Sequence, residues 1–286
     1  MLGYIARSKK IYMKVLLMDA RPIGVFDSGL GGLTTVKKLT ELMPGEDIIY
    51  LGDTGRVPYG SRSKETIIKY ALQDAAFLSG FDIKAMVIAC NTVCSAALDV
   101  VAKTCDMPVY EVVNPPAKTA AMLTKNGKVG VIGTVATIKS GAYEAALKQI
   151  APKLGIIPTA CPLFVPLVEN GRIDADDVAA LAIAEDYLAV LRESEIDTLI
   201  LGCTHYPLLH RVISKVIGPG VALIDSGGET AKLVSSDLRA RGMASPDGSD
   251  GTIKYFVTDS IDGFSALASR FMETEVHGLV EQVTLD

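Results

Sequence analysis

Residues 201–209 have the sequence Leu201-Gly202-Cys203-Thr204-His205-Tyr206-Pro207-Leu208-Leu209, which places a cysteine between a strand and a helix. The apolar run before it, residues 198–201, predicts a buried parallel strand, and the pattern from Pro207 predicts a helix. Open α/β sheets present the residues at the carboxyl ends of their strands to a ligand crevice. Unpaired N–H groups at a helix start lower the pKa of a nearby thiol. We therefore predict that Cys203 is an acid/base group at a sheet edge.

A second cysteine stands in the same setting upstream. The apolar run 86–89 leads into Cys90, and a helical pattern follows it. A glycine-containing apolar strand precedes each cysteine. One ends at Asp27-Ser28, before Cys90, and the other ends at Gly133-Thr134, before Cys203, so the order strand, polar loop and strand with cysteine occurs twice. This repeat predicts two similar α/β domains, each of which contributes one thiol to a shared cleft.

The fold class follows from the alternation of strand-like and helix-like segments. Short apolar runs alternate with helical patterns along the chain, which is typical of mainly parallel sheets with helices on both faces. We predict two similar three-layer α/β domains with the active site in the cleft between them. The pair Pro115-Pro116 after Asn114 predicts a hinge or a crossing between domains.

Composition excludes several classes of protein. The 286 residues are 49% hydrophobic and 21% charged, which indicates a globular chain of one large or two ordinary domains. With 28 basic and 33 acidic residues the net charge is -5, and the sequence contains no basic cluster. We therefore predict no nucleic acid as a partner. No run approaches the roughly 18 apolar residues of a membrane span, so we predict no membrane partner. Anionic substrates remain compatible, because backbone N–H groups bind anions without Arg or Lys.

The cysteines and histidines predict a cytoplasmic protein without a metal. Five cysteines form no spaced framework and are odd in number, which favours a reducing compartment over a disulfide scaffold. Only three histidines occur, and no second Cys/His cluster accompanies residues 203–205, so no metal site is predicted. Residues 1–20 lack the long apolar centre of a signal peptide. We predict that they are a dispensable N-terminal extension.

Three polar features keep two interpretations each. The glycines of residues 27–32 either bring backbone N–H groups close to a ligand or form an ordinary strand-to-helix turn. The turn at Pro58-Tyr59-Gly60 either offers donors to an anion or only carries an aromatic plug. Glu169 is either a solvated carboxylate at a helix end or a residue that faces the cleft.

The duplicated cysteines favour proton transfer over nucleophilic attack. A nucleophile needs one thiol with a single base beside it, whereas inversion of a carbon centre needs a base on each face. One thiolate removes the proton, and the other thiol delivers one to the far side. Neighbouring groups can bring a thiol pKa towards neutrality, which suits this task. Cys94, Cys105 and Cys161 are interpreted as small hydrophobic residues of the core or its surroundings.

Several motifs together resemble a known family. They are Asp27-Ser28-Gly29-Leu30-Gly31-Gly32, Gly52-Asp53-Thr54, Pro58-Tyr59-Gly60, Cys90-Asn91-Thr92, Gly133-Thr134 and Gly202-Cys203-Thr204-His205-Tyr206-Pro207. In this order and spacing, residues 22–271 resemble the glutamate racemases, cofactor-independent enzymes that supply D-glutamate for peptidoglycan. Asp-Ser-Gly in the first motif and Cys-Thr-His in the last are similar to the glutamate enzymes and unlike the related aspartate racemases.

The resemblance implies a role for each site residue. Cys90, assisted by Asp27, would act on D-glutamate, and Cys203, assisted by His205, would act on L-glutamate, with Glu169 supporting His205. The implied substrate-binding residues are Asp27, Ser28, Tyr59, Gly60, Asn91, Thr92, Thr134, Glu169, Thr204 and His205. No cofactor and no metal are implied, and family members are commonly homodimers.

The resemblance also implies that the first domain is interrupted by the second and completed by the C-terminal strands and helices. We therefore predict three parts: the N-terminal extension 1–20, a first domain of residues 21–115 plus 226–286 that carries Cys90, and a second domain of residues 116–225 that carries Cys203.

Two rival functions stay open from the residues alone. A related racemase or isomerase that acts on aspartate, hydantoins or maleate would use the same paired thiols, and chiral analysis of glutamate and aspartate without added cofactor distinguishes it. A non-catalytic amino acid binding protein or regulator would also suit two lobes around a cleft. Such a protein would bind glutamate without solvent deuterium entering the α-carbon.

Overall fold

Two parallel sheets organise the chain. The structure is a computed structural model that describes residues 19–246, 248, 250–276 and 279–285. Residues 1–18 of the predicted extension lie outside this part. The strands are β1 (Ile23–Asp27), β2 (Ile48–Gly52), β3 (Ala85–Ile88), β4 (Val109–Tyr110), β5 (Lys128–Gly133), β6 (Gly155–Ala160), β7 (Thr198–Gly202), β8 (Ala222–Asp225), β9 (Ile253–Val257) and β10 (Val280–Gln282).

Helices connect these strands and cover the sheets. They are α1 (Leu33–Leu42), α2 (Lys64–Ser79), α3 (Asn91–Ala102), α4 (Asn114–Leu123), α5 (Val135–Ser140), α6 (Ala142–Ile150), α7 (Phe164–Glu169), α8 (Val178–Glu193), α9 (His210–Ile217), α10 (Ser226–Arg241) and α11 (Phe264–Met272). Short 3-10 turns lie at Thr54–Arg56, Tyr59–Ser61 and Tyr206–Leu209. Within the described ranges no helix combines the length and the hydrophobicity needed to cross a bilayer.

The two sheets repeat one topology. The six-stranded sheet has the order β10-β9-β2-β1-β3-β4, and the four-stranded sheet has the order β6-β5-β7-β8. All neighbouring strands are parallel, and β2-β1-β3-β4 corresponds strand for strand to β6-β5-β7-β8. This confirms the predicted α/β fold with two similar parallel sheets. We call the six-stranded sheet with its connections the first lobe and the four-stranded sheet with its connections the second lobe.

The strands are buried where the sequence is continuously apolar. Every residue of β1, β2 and β7 is buried, as expected for central parallel strands covered on both faces. The edge strand β6 is only partly buried and contains Pro158, which an edge tolerates because one side of its backbone needs no partner. Strands up to Tyr110 and from Ile253 belong to the first lobe, and the limits at 115/116 and 225/226 stay a prediction.

The segment before the second lobe differs from the sequence pattern. Residues 108–113 predict a strand, but β4 spans only two residues because the Glu111 carboxylate accepts hydrogen bonds from the backbone N–H groups of Val113 and Asn114, at 2.6 and 3.0 Å. Pro115 and Pro116 begin a helix, and the hinge or crossing between domains at this pair stays a prediction. They lie in the first turn of α4, where a missing N–H costs nothing.

Candidate active site

Cys90 and Cys203 line the same cavity and come from different sheets. Cys90 lies two residues after β3 and is the N-cap of α3, and Cys203 follows β7 directly. The cavity between the lobes, called here the interlobe cavity, has a volume of about 250 Å³. Both cysteines are largely buried, with 4% and 6% of their surface exposed. The equivalent positions of the two cysteines in the repeated topology bring both thiols to one site.

Eleven of the twelve predicted site residues form the wall of this cavity. They are Ser28, Tyr59, Gly60, Cys90, Asn91, Thr92, Thr134, Glu169, Cys203, Thr204 and His205. Asp27 is the exception, since it lies behind the wall at the end of β1 with 1% of its surface exposed. The wall also includes Gly29, Val57, Pro58, Ser61, Val135, Pro162, Val165, Pro166 and Tyr206. Most of these adjoin a predicted motif, and Pro162, Val165 and Pro166 share the apolar stretch that contains Glu169.

His205 lies between Cys203 and Glu169. Its Nδ1 atom is 3.9 Å from the Cys203 sulfur, and its Nε2 atom is 3.2 Å from Glu169 Oε1. Burial acts to lower the pKa of His205, but the hydrogen bonds with Cys203 and Glu169 and the negative charges of Cys203 and Asp27 raise it to about 10. The imidazole is therefore protonated at neutral pH and can stabilise a thiolate beside it.

Glu169 satisfies both interpretations of its position. It is the last residue of α7, and its side chain is 46% exposed while one oxygen faces His205. A carboxylate at this place fixes the ring orientation of His205 and favours its charged form.

Cys90 has a different environment from Cys203. Its thiol donates to Ser28 Oγ at 3.3 Å. Burial, followed by the negative charge of Asp27, raises the pKa of Cys90 to about 12, although the hydrogen bond with Ser28 opposes the rise. The start of α3 does act to lower this pKa, through the backbone N–H of Val93, but the loss of solvation outweighs it, so the thiol pKa of Cys90 is raised overall.

Asp27 is a buried carboxyl group that is only partly satisfied. Its Oδ2 accepts the Gly29 N–H at 3.0 Å, whereas Oδ1 has no hydrogen-bond partner among the described residues. Burial raises the pKa of Asp27, although the charge of His205 and backbone N–H groups oppose this. The Oδ1 atom is therefore a buried acceptor without a partner among the described residues.

The glycine-rich first loop lies very close to the second lobe. A Cβ atom on Gly31 would lie 2.3 Å from Thr204 Oγ1 and 2.5 Å from His205 Nδ1. A Cβ atom on Gly60 would lie 2.9 Å from the Cβ of Thr134. The Thr34 hydroxyl, in the first turn of α1, lies 3.1 Å from the Thr204 carbonyl oxygen. Gly31 thus permits the contact between the first loop and the segment that carries Cys203.

Tyr59 reaches the wall, but its hydroxyl points to charged groups of the first lobe. The hydroxyl donates to Asp53 Oδ2 and lies 3.2 Å from Asp74 Oδ2. Arg56 joins the same cluster through bonds of 2.6 Å to Asp53 and 2.9 Å to Asp74. This cluster supports the turn that carries Gly60. Its local members, Asp53, Arg56 and Tyr59, do not predict it, because Asp74 lies 15 positions after Tyr59 in the chain.

Asn91 is also bonded within the protein. Its amide nitrogen donates to Ser226 Oγ at 3.2 Å, and its amide oxygen lies 2.5 Å from the hydroxyl of Tyr143. Because Ser226 begins α10, after β8, and Tyr143 lies in α6, between β5 and β6, Asn91 ties α3 to helices connected to the second sheet.

The remaining hydroxyl groups form a pair across the cleft. Thr92 Oγ1 of α3 lies 3.1 Å from Thr134 Oγ1, which also accepts the Thr137 N–H as the N-cap of α5. The wall therefore offers hydroxyls and helix N-termini from both lobes, groups that bind carboxylates without a cation. Among the described residues, no group of three His, Cys, Asp or Glu side chains could hold a metal ion.

Comparison with known proteins matches the chain to a family. A family model described as Asp/Glu/Hydantoin racemase matches residues 23–234. A glutamate racemase of Geobacter metallireducens is 48% identical over 269 residues, which cover 94% of this chain and 98% of the relative.

Solved structures agree with this match. The crystal structure of a glutamate racemase isoform from Bacillus anthracis superposes with a TM-score of 0.88 at 39% identity, covering 93% of this chain and 98% of the other. The structure of the Francisella tularensis glutamate racemase in complex with D-glutamate has a TM-score of 0.87 at 38% identity, covering 94% and 99%.

Proposed function

Because the chain belongs to the Asp/Glu/Hydantoin racemase family, we propose that it interconverts L- and D-glutamate by proton transfer between two cysteine thiols and the α-carbon. The observation that carries this proposal is the meeting of Cys90 and Cys203, from two different sheets, in one cavity. The relatives named as glutamate racemases, one of them in complex with D-glutamate, support glutamate as the substrate.

In the direction from L- to D-glutamate, Cys203 is the base. Its thiolate removes the α-proton, so that the C–H bond breaks and an S–H bond forms. The Cys90 thiol then gives its proton to the opposite face of the carbon and becomes a thiolate. No atom is oxidised or reduced, and the two sulfurs exchange protonation states. The environments support this assignment, because a protonated His205 lies beside Cys203 and the pKa of Cys90, at about 12, keeps it a neutral donor.

In the reverse direction Cys90 must act as the base, which needs a change in its surroundings. The charge of Asp27 and burial both disfavour the Cys90 thiolate. We propose that the ammonium group of the bound amino acid offsets this charge. An opposite charge within a few ångströms lowers a thiol pKa.

The carboxylates of the substrate are proposed to bind neutral donors. Ser28, Thr92, Thr134 and Thr204 carry hydroxyls on the cavity wall, and Gly60 adds a backbone group. Among the described wall residues there is no arginine or lysine. Preorganised hydroxyl and N–H dipoles can hold two carboxylates and also stabilise the carbanion that develops at the α-carbon.

The cellular role and assembly are proposed on the same basis. D-Glutamate made in this way would enter peptidoglycan, as the family resemblance implies. All five cysteines are free thiols, which supports function in the reducing cytoplasm. A homodimer is proposed from the resemblance alone, and light scattering of the purified protein would test it.

The test of the function uses each thiol in turn. Cys90→Ser and Cys203→Ser should each abolish most racemisation of glutamate, followed by circular dichroism without added cofactor, while the thermal unfolding curve stays cooperative. Cys105→Ser is the matched control, because this half-buried thiol lies outside the cavity wall and should be dispensable. Near-normal turnover in either cavity variant would overturn the two-thiol scheme.

The rival functions predict different results when the wild-type protein is incubated with glutamate or aspartate. Faster turnover of aspartate than of glutamate would indicate a related racemase. Binding of glutamate to the wild type without exchange of its α-proton would indicate a non-catalytic binding protein.

A further inference from the structure

Two consecutive residues of α11 reach from the first lobe to the catalytic segment of the second. Arg270 contacts the C-terminal end of α7, and Phe271 contacts His205. Both residues lie outside the motifs of the sequence analysis and outside the cavity wall. Their contacts converge on the pair Glu169–His205.

Arg270 binds the last turn of α7. Its Nη1 atom donates to the carbonyl oxygens of Val168 and Glu169, at 3.2 and 2.9 Å. Carbonyls in the last turn of a helix lack partners within the helix, and a cation there is favourable. The turn that follows also packs on the guanidinium, since a Cβ atom on Gly171, which has a φ of +73°, would lie 3.0 Å from Arg270 Nη2. The backbone that carries the Glu169 side chain is thus fixed by Arg270.

Phe271 restrains the ring on which Glu169 acts. Its ring stands edge to face with the imidazole of His205, with centroids 5.2 Å apart and an interplanar angle of 86°. Phe271 itself is fully buried, with 1% of its surface exposed. The imidazole is therefore held on one side by an aromatic ring and at Nε2 by Glu169.

We propose that Arg270 is a positioning residue for the Cys203 half of the reaction: through the backbone of α7 it holds the Glu169 carboxylate against His205, which faces the Cys203 sulfur. This inference rests on the proposed function for its catalytic consequence. The coupling that it implies, between Arg270 and the protonation of His205, can be measured without following the reaction.

Loss of Arg270 should weaken one of the interactions that keep His205 charged. The titratable groups that face the imidazole are Cys203 from its own segment, Glu169 from α7 and Asp27 from β1. If the end of α7 shifts, the contact of Glu169 with Nε2 lengthens while the other two groups stay in place. The pKa of His205 should then fall from about 10.

The primary test compares Arg270→Met with Lys37→Met. Methionine keeps much of the length of the arginine stem but cannot donate to the carbonyls. Lys37 forms a different polar contact near the end of α11, 2.6 Å from Glu273, and among the described contacts it has none with Glu169 or His205. Arg270→Met should lower kcat/KM for glutamate about tenfold, the effect of losing one charge-assisted hydrogen bond in the site, here the contact of Glu169 with His205. Lys37→Met should stay within about twofold of wild type, because exposed ion pairs contribute little.

The second readout is NMR of ring-¹⁵N-labelled histidine. The chain has three histidines, and the signal of His205 is identified by its absence in His205→Asn. Its titration midpoint should move to lower pH in Arg270→Met and stay unchanged in Lys37→Met. Should Arg270→Met fold poorly, Arg270→Lys keeps a cation near the two carbonyls and should show a smaller shift in the same direction.

A double-mutant cycle shows whether the effect passes through Glu169. In a Glu169→Gln background, Arg270→Met should add little further loss, because the contact it supports is already changed. Three results would each overturn the proposal. The first is a loss of kcat/KM from Arg270→Met that is as large in the Glu169→Gln background as in wild type, and the second is an unchanged titration midpoint of His205 in Arg270→Met. The third is an effect of Lys37→Met equal to that of Arg270→Met. If wild type failed to racemise glutamate, the proposed function would fall while the NMR titration would still decide the coupling.

Discussion

Replacing Gly31 with alanine should damage the site from a residue that carries no side chain. A Cβ atom at this position would stand 2.3 Å from Thr204 Oγ1 and 2.5 Å from His205 Nδ1. Ordinary contacts between such atoms are about 3.5 Å or longer, so the segment 203–205 must move by about 1 Å relative to the first loop. The φ angle of Gly31 is not positive, and the effect is therefore purely steric.

The size of the effect follows from this displacement. A misplacement of about 1 Å at a reacting group can cost about a hundredfold in rate, and overpacking of a buried contact costs about 1–3 kcal/mol of stability. We expect Gly31→Ala to lose about a hundredfold in kcat/KM for glutamate while remaining folded at room temperature.

The assay needs a glycine-to-alanine control at an open position. Gly220 also lacks a positive φ and has no atom within 4 Å of a built Cβ, so Gly220→Ala should retain wild-type activity and stability. Racemisation is followed by circular dichroism from both enantiomers, and unfolding is followed in urea. Activity of Gly31→Ala within about twofold of wild type would refute the reasoning that the two lobes meet closely at this glycine.

Three further outcomes follow from the ionisable groups. Since the pKa of Cys90 is raised to about 12, its alkylation by iodoacetamide, measured by peptide mass spectrometry, should still rise with pH beyond pH 10, and a plateau near pH 9 would contradict this. Tyr59→Phe should cost about 1–3 kcal/mol in urea unfolding, because it leaves the buried carboxylates of Asp53 and Asp74 without their shared hydroxyl, and an unchanged midpoint would speak against that cluster. The pKa of His205 is higher in the folded state, about 10 against 6.5, so its stabilising contribution is complete below about pH 6.5 and is lost as pH rises through 10. The difference in unfolding free energy between wild type and His205→Asn should therefore shrink by up to about 5 kcal/mol over that range. A difference that grows with pH would contradict this prediction.

The placement of the two thiols could be predicted because the signals are local. The apolar runs before Cys90 and Cys203 correspond to β3 and β7, and the repeated order of strands and polar loops corresponds to the repeated strand order of the sheets. Parallel strands bring their carboxyl ends to one edge, so a residue at a strand end lies near the site without any knowledge of tertiary contacts.

Short and edge elements could not be predicted with the same certainty, because their sequences carry little pattern. β10 spans three residues, of which only Val280 is partly buried at an apolar position, and its strand conformation comes from pairing with β9. The sequence Pro115-Pro116 is compatible with an irregular loop and with the first turn of a helix. Only the structure distinguishes these, because it shows that α4 begins at Asn114.

The electrostatics and the supporting contacts depend on distances between remote segments. The pKa of Cys90 reflects burial that no local motif encodes. Tyr59 and Asn91 line the cavity, yet the Tyr59 hydroxyl and the Asn91 amide form hydrogen bonds with other parts of the protein. Arg270 lies 101 positions after Glu169, so its contact with α7 appears only in three dimensions.

The most direct measurement is incubation of L-glutamate with the enzyme in deuterium oxide, stopped at low conversion and resolved by chiral mass spectrometry. Two thiols on opposite faces predict D-glutamate with deuterium at the α-carbon while the remaining L-glutamate keeps its hydrogen, since the base that removes the proton is not the acid that returns one. D-Glutamate that retains the substrate's own α-hydrogen, or deuterium that enters both enantiomers equally, would contradict the assignment of one thiol to each face.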